Sequence, residues 1–150
     1  MLLQHSGFST NYVSELSGLT LRQLQWYDEQ GLLVPLRKQD TRQYSYRQLV
    51  EAALMNRLRE KLSLRTVRKV VAALRRDIMK RVEDHLPLPT DLCVITDGDR
   101  LKIGSASQMI EWLKESRKGA HLVAIGEEIR RIDSELDASG FSHGEKKAVA

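Results

Sequence analysis

Cysteine is nearly missing from this chain: Cys93 is the single thiol in 150 residues. One thiol cannot close an internal disulfide or complete a multi-cysteine zinc site, so a disulfide scaffold is excluded and the usage fits a reducing compartment. Three prolines and nine glycines are too few for collagen-like or low-complexity sequence. No stretch approaches the ~20 apolar residues of a membrane span. The start, Met1-Leu2-Leu3-Gln4-His5-Ser6, lacks the basic residues and apolar run of a secretory leader. These absences predict a cytoplasmic protein with no membrane partner. The histidines His5, His85, His121 and His143 are scattered without an i, i+4 pair, and Asp97-Gly98-Asp99 lacks the further oxygen ligands of a calcium loop. No glycine-rich phosphate loop is found, so no metal or other cofactor is expected. No nucleophile, base and orienting group can be paired along the sequence, which disfavours an enzyme.

What is present is ordinary globular material with an uneven charge. A hydrophobic fraction of 41% with 29% charged residues argues for a buried core. A chain of this length hides roughly 70% of the surface it would expose unfolded. Residues 1 to 86 carry fifteen Lys and Arg against nine Asp and Glu, whereas residues 87 to 150 carry nine against eleven. The whole positive excess therefore lies in the N-terminal part, where an anionic partner is expected.

Punctuation along the chain defines the elements. Ser9 precedes Tyr12, Val13 and Leu16 at helical spacing, and Gly18 interrupts that short helix. Thr20 and Gln23 fit a capping box, so a second helix starts at Leu21 and ends at Gly31. Two short helices around Gly18-Leu19-Thr20 have the spacing of a helix-turn-helix. Leu36 to Gln43 is polar and too short for a helix, and suits a hairpin or wing. A third helix runs from Tyr46 to about Lys61-Leu62. Ser63 then caps a fourth, whose stripe Leu64, Val67, Val71, Leu74, Ile78 and Val82 predicts one helix of about twenty residues. Pro87 and Pro89 stop it, which sets a domain boundary at residue 86. Beyond it, Leu92 to Thr96 and Leu101 to Ile103 read as strands around the Asp-Gly-Asp turn. Ser107 to Lys114 reads as a helix, His121 to Ile125 as a third strand, and Glu127 to Leu136 as a closing helix. The expected fold is mainly α: a winged helix-turn-helix in residues 1–86, a small α+β (ββαβα) domain in 87–137, and a mobile tail in 138–150.

The second helix concentrates hydrogen-bonding and aromatic groups: Arg22, Gln23, Gln25, Trp26 and Tyr27, with Leu21 and Leu24 on its other face. Arg can grip guanine O6 and N7 with two bonds, Gln can do the same to adenine, and Tyr can bond a phosphate oxygen. Such a face is suited to a DNA major groove, although Trp26 and Tyr27 equally suit a junction with the wing core.

These residues also resemble a known family. The run from Leu19 through Arg22-Gln23-Leu24-Gln25-Trp26-Tyr27 to Gly31-Leu32-Leu33-Val34-Pro35 is similar to the start of the MerR family of bacterial regulators. Asp40-Thr41-Arg42-Gln43-Tyr44-Ser45 looks like its Arg-x-Tyr wing, and Leu62-Ser63-Leu64-Arg65-Thr66-Val67 like the opening of its fourth helix. The resemblance spans about residues 8 to 76. It implies a homodimer on a palindromic promoter, with Arg22, Tyr27 and Arg42 touching double-stranded DNA. Candidate DNA contacts are thus Thr20, Arg22, Gln23, Gln25, Trp26 and Tyr27 of the helix, Arg37, Lys38, Arg42 and Tyr44 of the wing, and Lys61. Gln25 stands where the family usually has Arg, and Trp26 where it has Tyr or Phe. Metal-sensing and redox-sensing members use several cysteines, which Cys93 alone cannot supply.

The stripe on the fourth helix is longer than packing on an 80-residue domain requires, so Leu74, Ile78 and Val82 are expected to meet a second copy. Trp112 between Glu111 and Glu115 is a candidate pocket for a cationic aromatic ligand, as resemblance to drug-sensing relatives suggests, against the plainer reading of packing on the sheet. RNA polymerase or a small-molecule effector are the further partners this reading admits. The rival is a DNA-binding antitoxin-like or architectural protein whose C-terminal domain docks another protein.

Overall fold

The computed structural model describes residues 7–115 and 119–140. His5, His143 and nearly all of the expected tail, including Lys146 and Lys147, lie outside the described residues. Side-chain caps fix where the helices begin. The Ser9 hydroxyl accepts the Tyr12 amide at 3.1 Å and starts α1, Thr10–Ser17. Thr20 and Gln23 exchange the two bonds of a capping box, 2.9 and 3.0 Å, at the head of α2, Leu21–Glu29. Ser45 and Gln48 form a second box ahead of α3, Tyr46–Arg59, and Ser63 caps α4, Leu64–Asp77. Gly18 closes α1 with φ 86° in the left-handed region. An added Cβ there would lie 2.5 Å from Asn56 Nδ2. The turn between α1 and α2 therefore needs glycine for both its backbone and its close contact with α3.

The wing is a hairpin of β2, Leu36–Lys38, and β3, Thr41–Tyr44, and the short strand β1, Phe8–Ser9, pairs with β3 to give the antiparallel order β1-β3-β2. The hairpin loop places Gln39 and Asp40 at φ 51° and 65°. The expected twenty-residue fourth helix is instead two helices. It breaks at Ile78, φ −123°, and α5, Met79–Glu83, turns back on α3. The turn buries Met79 and brings Glu83 to Arg47 at 2.9 Å, contacts that a straight helix would forgo. It also revises the dimer expectation. Leu74 and Val82 are 2% and 3% exposed in the chain's own core, with Ile78 packed against that core, so these side chains are used internally.

After Pro87 come β4, Leu92–Thr96, β5, Leu101–Ser105, α6, Ala106–Glu115, β6, His121–Ala124, and α7, Gly126–Ala138, as the periodicity predicts. The sheet is antiparallel in the order β5-β4-β6. Residues on both sides of Pro87 share one hydrophobic cluster: Leu24, Leu49, Leu58 and Val67 lie in it together with Val94, Ile125, Ile132 and Leu136. Polar ties reinforce it. Tyr46 of α3 donates to Asp133 of α7 at 2.6 Å, and Arg131 of α7 donates to the Leu16 carbonyl at the end of α1 at 2.8 Å. A smaller cluster, Cys93, Ile95 and Met109, lies between the other face of the sheet and α6.

Candidate nucleic-acid interface

The helix α2 divides cleanly into two faces. Leu24, Tyr27 and Asp28 are buried, while Leu21, Arg22, Gln23, Gln25, Trp26 and Glu29 are exposed. Arg22 makes no hydrogen bond or ion pair among the described residues, so its guanidinium is free for a ligand. Gln25 donates to Glu29 at 3.2 Å, an exposed bond that a base edge can replace. Trp26 is 41% exposed, its ring 5.5 Å from that of Tyr27. Thr20 and Gln23 are exposed, but their side-chain oxygens accept the capping bonds. Those bonds fix the start of the helix and leave the Gln23 amide group as its remaining donor.

Two tyrosines expected to touch DNA, Tyr27 and Tyr44, are buried in the chain's own core. Tyr27 is 3% exposed and belongs to the core. Burial pushes its hydroxyl above the ordinary tyrosine value, and the neighbouring Arg59 guanidinium pulls it partly back. Tyr44 is wholly buried and paired in register with Phe8, so it anchors the wing to the body. A phenol ring at either position is worth more as buried apolar area than as a single phosphate bond. Arg59, beside the Tyr27 hydroxyl, and Asp28, paired with Arg37 and Arg42, are the side chains bracing this face that pattern reading missed. Asp28 lies one turn after Leu24 on the buried face of α2, followed by the cations of the hairpin, and that acid on an apolar face was the available signal.

Asp28 organises the wing. Its carboxylate, 4% exposed, takes Arg37 of β2 at 2.6 Å and Arg42 of β3 at 2.9 Å. Both strands of the hairpin are thereby bonded to the helix, and the two guanidinium groups retain exposed area on the outer side. A second buried acid, Glu51 of α3, takes Arg75 of α4 at 2.8 Å and Arg47 at 3.0 Å. Arg75 also donates to the Leu32 carbonyl at 2.6 Å, which holds the chain leaving α2 against α4. Lys38 is exposed at the wing tip. Lys61 is exposed too, but its ammonium group donates to the Leu122 carbonyl of β6 at 3.3 Å.

Trp112, the candidate for a cationic aromatic ligand, lies on α6. Arg100 already covers its ring at 5.0 Å, and the ring packs against the Cys93, Ile95 and Met109 cluster. Glu111 and Glu115 are exposed on α6, and Glu111 lies 3.8 Å from Lys114. Cys93 is buried, and burial first, then the Asp91 carboxylate, pushes its thiol up toward the protonated form. Among the described residues no group of three or more His, Cys, Asp or Glu is placed to hold a metal ion, and no helix is long and apolar enough to cross a membrane.

The arrangement presents a rigidly capped helix with an outward polar face, braced by a hairpin whose arginines are fixed to it. Comparison with known proteins agrees with this geometry. Residues 8–74 match the family described as MerR HTH family regulatory protein. No curated protein matches the chain. The match of the N-terminal region supports a general DNA-binding regulatory role.

Proposed function

We propose that the chain regulates transcription by binding a palindromic promoter site as a homodimer, with residues 1–86 reading DNA and residues 87–137 carrying the contact between copies. The observation that carries the reading is the outer face of α2, where Arg22, Gln25 and Trp26 are exposed together while Asp28 fixes the wing beside them. Arg22 and Gln25 supply base-edge hydrogen bonds in the major groove, and Trp26 supplies apolar contact to a thymine methyl or the sugar edge. Arg37, Lys38 and Arg42 on the wing supply phosphate contacts that set register. Thr20 and Gln23 position the helix. A palindrome requires two such helices about 34 Å apart, a distance that only a fixed contact between copies maintains.

With Leu74 and Val82 committed internally, the surface for the second copy is the C-terminal layer. Ile110 and Leu113 of α6 and Leu122 of β6 are large apolar side chains exposed there. The experiment is sedimentation of the full chain together with footprinting on DNA enriched by repeated selection. A dimer protecting one two-fold-symmetric site is expected. The same apolar residues favour a second reading, an antitoxin-like protein docking a different chain. A stable monomer with protection of a single half-site would favour it.

A further inference from the structure

The two edges of the C-terminal sheet are not alike. In the order β5-β4-β6, the edge strands are β5 and β6. The chain itself occupies the β6 edge, because the Lys61 ammonium group donates to the Leu122 carbonyl at 3.3 Å. The β5 edge is open. Asp97 donates its amide to the Arg100 carbonyl at 3.2 Å, which fixes the phase of the ladder at the hairpin turn. Antiparallel bonding alternates, so Ile95 with Lys102 and Cys93 with Gly104 are the pairs that exchange bonds between β4 and β5. The amide and carbonyl groups of Leu101 and Ile103 therefore point outward, with no partner among the described residues. Beside them the Ser105 amide also points outward, and donates to the Gln108 side chain at 3.0 Å.

Side chains alternate along β5. Leu101 and Ile103 pack against the main core cluster, whereas Lys102, opposite Ile95, and Gly104, opposite Cys93, lie on the α6 side. A Cβ at Gly104 would collide with Gln108 and Met109, so α6 crosses directly over that position. Buried Met109 separates two flanks of this helix. Ile110 and Leu113 stand on one; Gln108, Glu111 and Glu115, at i, i+3 and i+7, stand on the other, and the bond from Ser105 to Gln108 sets that flank above the β5 edge. Lys102 is exposed with no ion-pair or hydrogen-bond partner among the described residues, and Glu111 has only Lys114 at 3.8 Å. Resting on the homodimer reading above, we propose that the contact between copies is antiparallel pairing of β5 with the partner's β5, centred on Ile103, which joins the two sheets into one. Ile103 then exchanges both bonds with the partner's Ile103. Lys102 stands opposite the partner's Gly104 and runs along the acidic flank of the helix above it to the partner's Glu111, and two-fold symmetry forms this pair twice. The register centred on Lys102 would instead set two ammonium groups face to face. An edge lysine deters pairing with unrelated strands. Here its counter-ion comes only with a second copy in this register, so the same residue selects its partner.

The test is sedimentation equilibrium at low salt of the full chain, of its Lys102→Glu and Glu111→Lys variants, and of an equimolar mixture of the two variants. Each variant alone is expected to raise the dimer dissociation constant at least about tenfold, because like charges then meet across the seam. The mixture should dimerise nearly as well as the wild type, since each copy supplies the charge that the other lacks. A charge pair within one chain cannot give that restoration. Ile103→Pro removes the outward amide and leaves the bonds to β4 in place, a substitution that edge strands accept, and it should weaken the dimer too. An undiminished Ile103→Pro dimer would overturn the strand pairing. Charge variants that dimerise like the wild type, or a mixture no stronger than its parts, would overturn the β5 contact and leave the homodimer reading standing, with its contact elsewhere, as on the flank of Ile110 and Leu113. A wild type that stays monomeric both free and on a selected two-fold-symmetric operator would instead overturn the homodimer reading beneath it.

Discussion

The buried carboxylate of Asp28 on α2 holds the Arg42 guanidinium of the wing at 2.9 Å, so the hairpin is bonded to the helix that it flanks. Asp28 also holds Arg37 at 2.6 Å, and removing it frees both strands at once. Electrostatics alone would have the loss of a negative charge strengthen DNA binding. A positioning role has the opposite sign. Asp28→Ala is expected to weaken operator binding by about tenfold or more while the chain stays folded, because phosphate contacts depend on a wing fixed in register. Titration of the variant at one salt concentration decides it, and tighter binding would make Asp28 a competitor for the arginines.

Arg22→Ala is expected to lose discrimination as well as affinity. A base-edge contact of this kind is worth about 1 to 3 kcal/mol for the preferred base over the wrong one. Titrations on matched and point-mutated operators separate the roles. An equal loss on every sequence would make Arg22 a phosphate contact.

Most helix and strand positions were legible because local chemistry fixed them. Ser9, the Thr20 and Gln23 box, Gly18, Ser63 and the Asp-Gly-Asp turn each act within a few residues, and each stands where the pattern places it. The break at Ile78 was not legible: neither proline nor glycine marks it, and the stripe continues through it to Val82. It arises from tertiary packing, in which Met79 and Glu83 gain partners on α3. For the same reason the stripe was misread as surplus surface. Its far end lies in the shared core, with α5 packed on α3. Of the expected interface, the exposed face of α2 followed from residue types, whereas burial of Tyr27 and Tyr44 depended on which face of each element meets the core. Asp28 acts through arginines 9 and 14 residues away, a relation that periodicity does not encode.

Gly18→Ala should destabilise the chain more than Gly31→Ala. Both glycines have positive φ, 86° and 71°, so both variants carry the backbone strain. Only at Gly18 does a new Cβ also meet Asn56, at 2.5 Å, whereas nothing lies within 4 Å at Gly31. Strain of this kind costs about 1 to 3 kcal/mol, and the clash adds to it. Denaturant unfolding of the two variants measures the difference, and equal losses would show that Asn56 gives way freely.

Burial, then the hydrogen bond to Asp133, pushes the Tyr46 hydroxyl well above its ordinary value. The folded state therefore holds this proton more tightly than the unfolded chain does. The associated stability is fully present below about pH 10 and declines as the pH rises beyond it. Tyr27 and Tyr44, also raised by burial, add to the same alkaline loss. Tyr46→Phe is expected to cost about 1 to 3 kcal/mol at neutral pH and to flatten part of the decline above pH 10. Unfolding curves at neutral and alkaline pH test it, and an unchanged alkaline slope would assign the effect to the other two.

The central claim is that the outward face of α2 distinguishes one DNA sequence from others. Its most direct test is a competition titration of the full chain, at one fixed salt concentration near physiological, between a selected two-fold-symmetric operator and a random-sequence duplex of equal length. The account predicts operator binding at least about a thousandfold tighter. It also predicts that the ratio collapses when the symmetric major-groove bases are exchanged. A ratio near one, with strong salt dependence on both duplexes, would contradict it by leaving only phosphate contact.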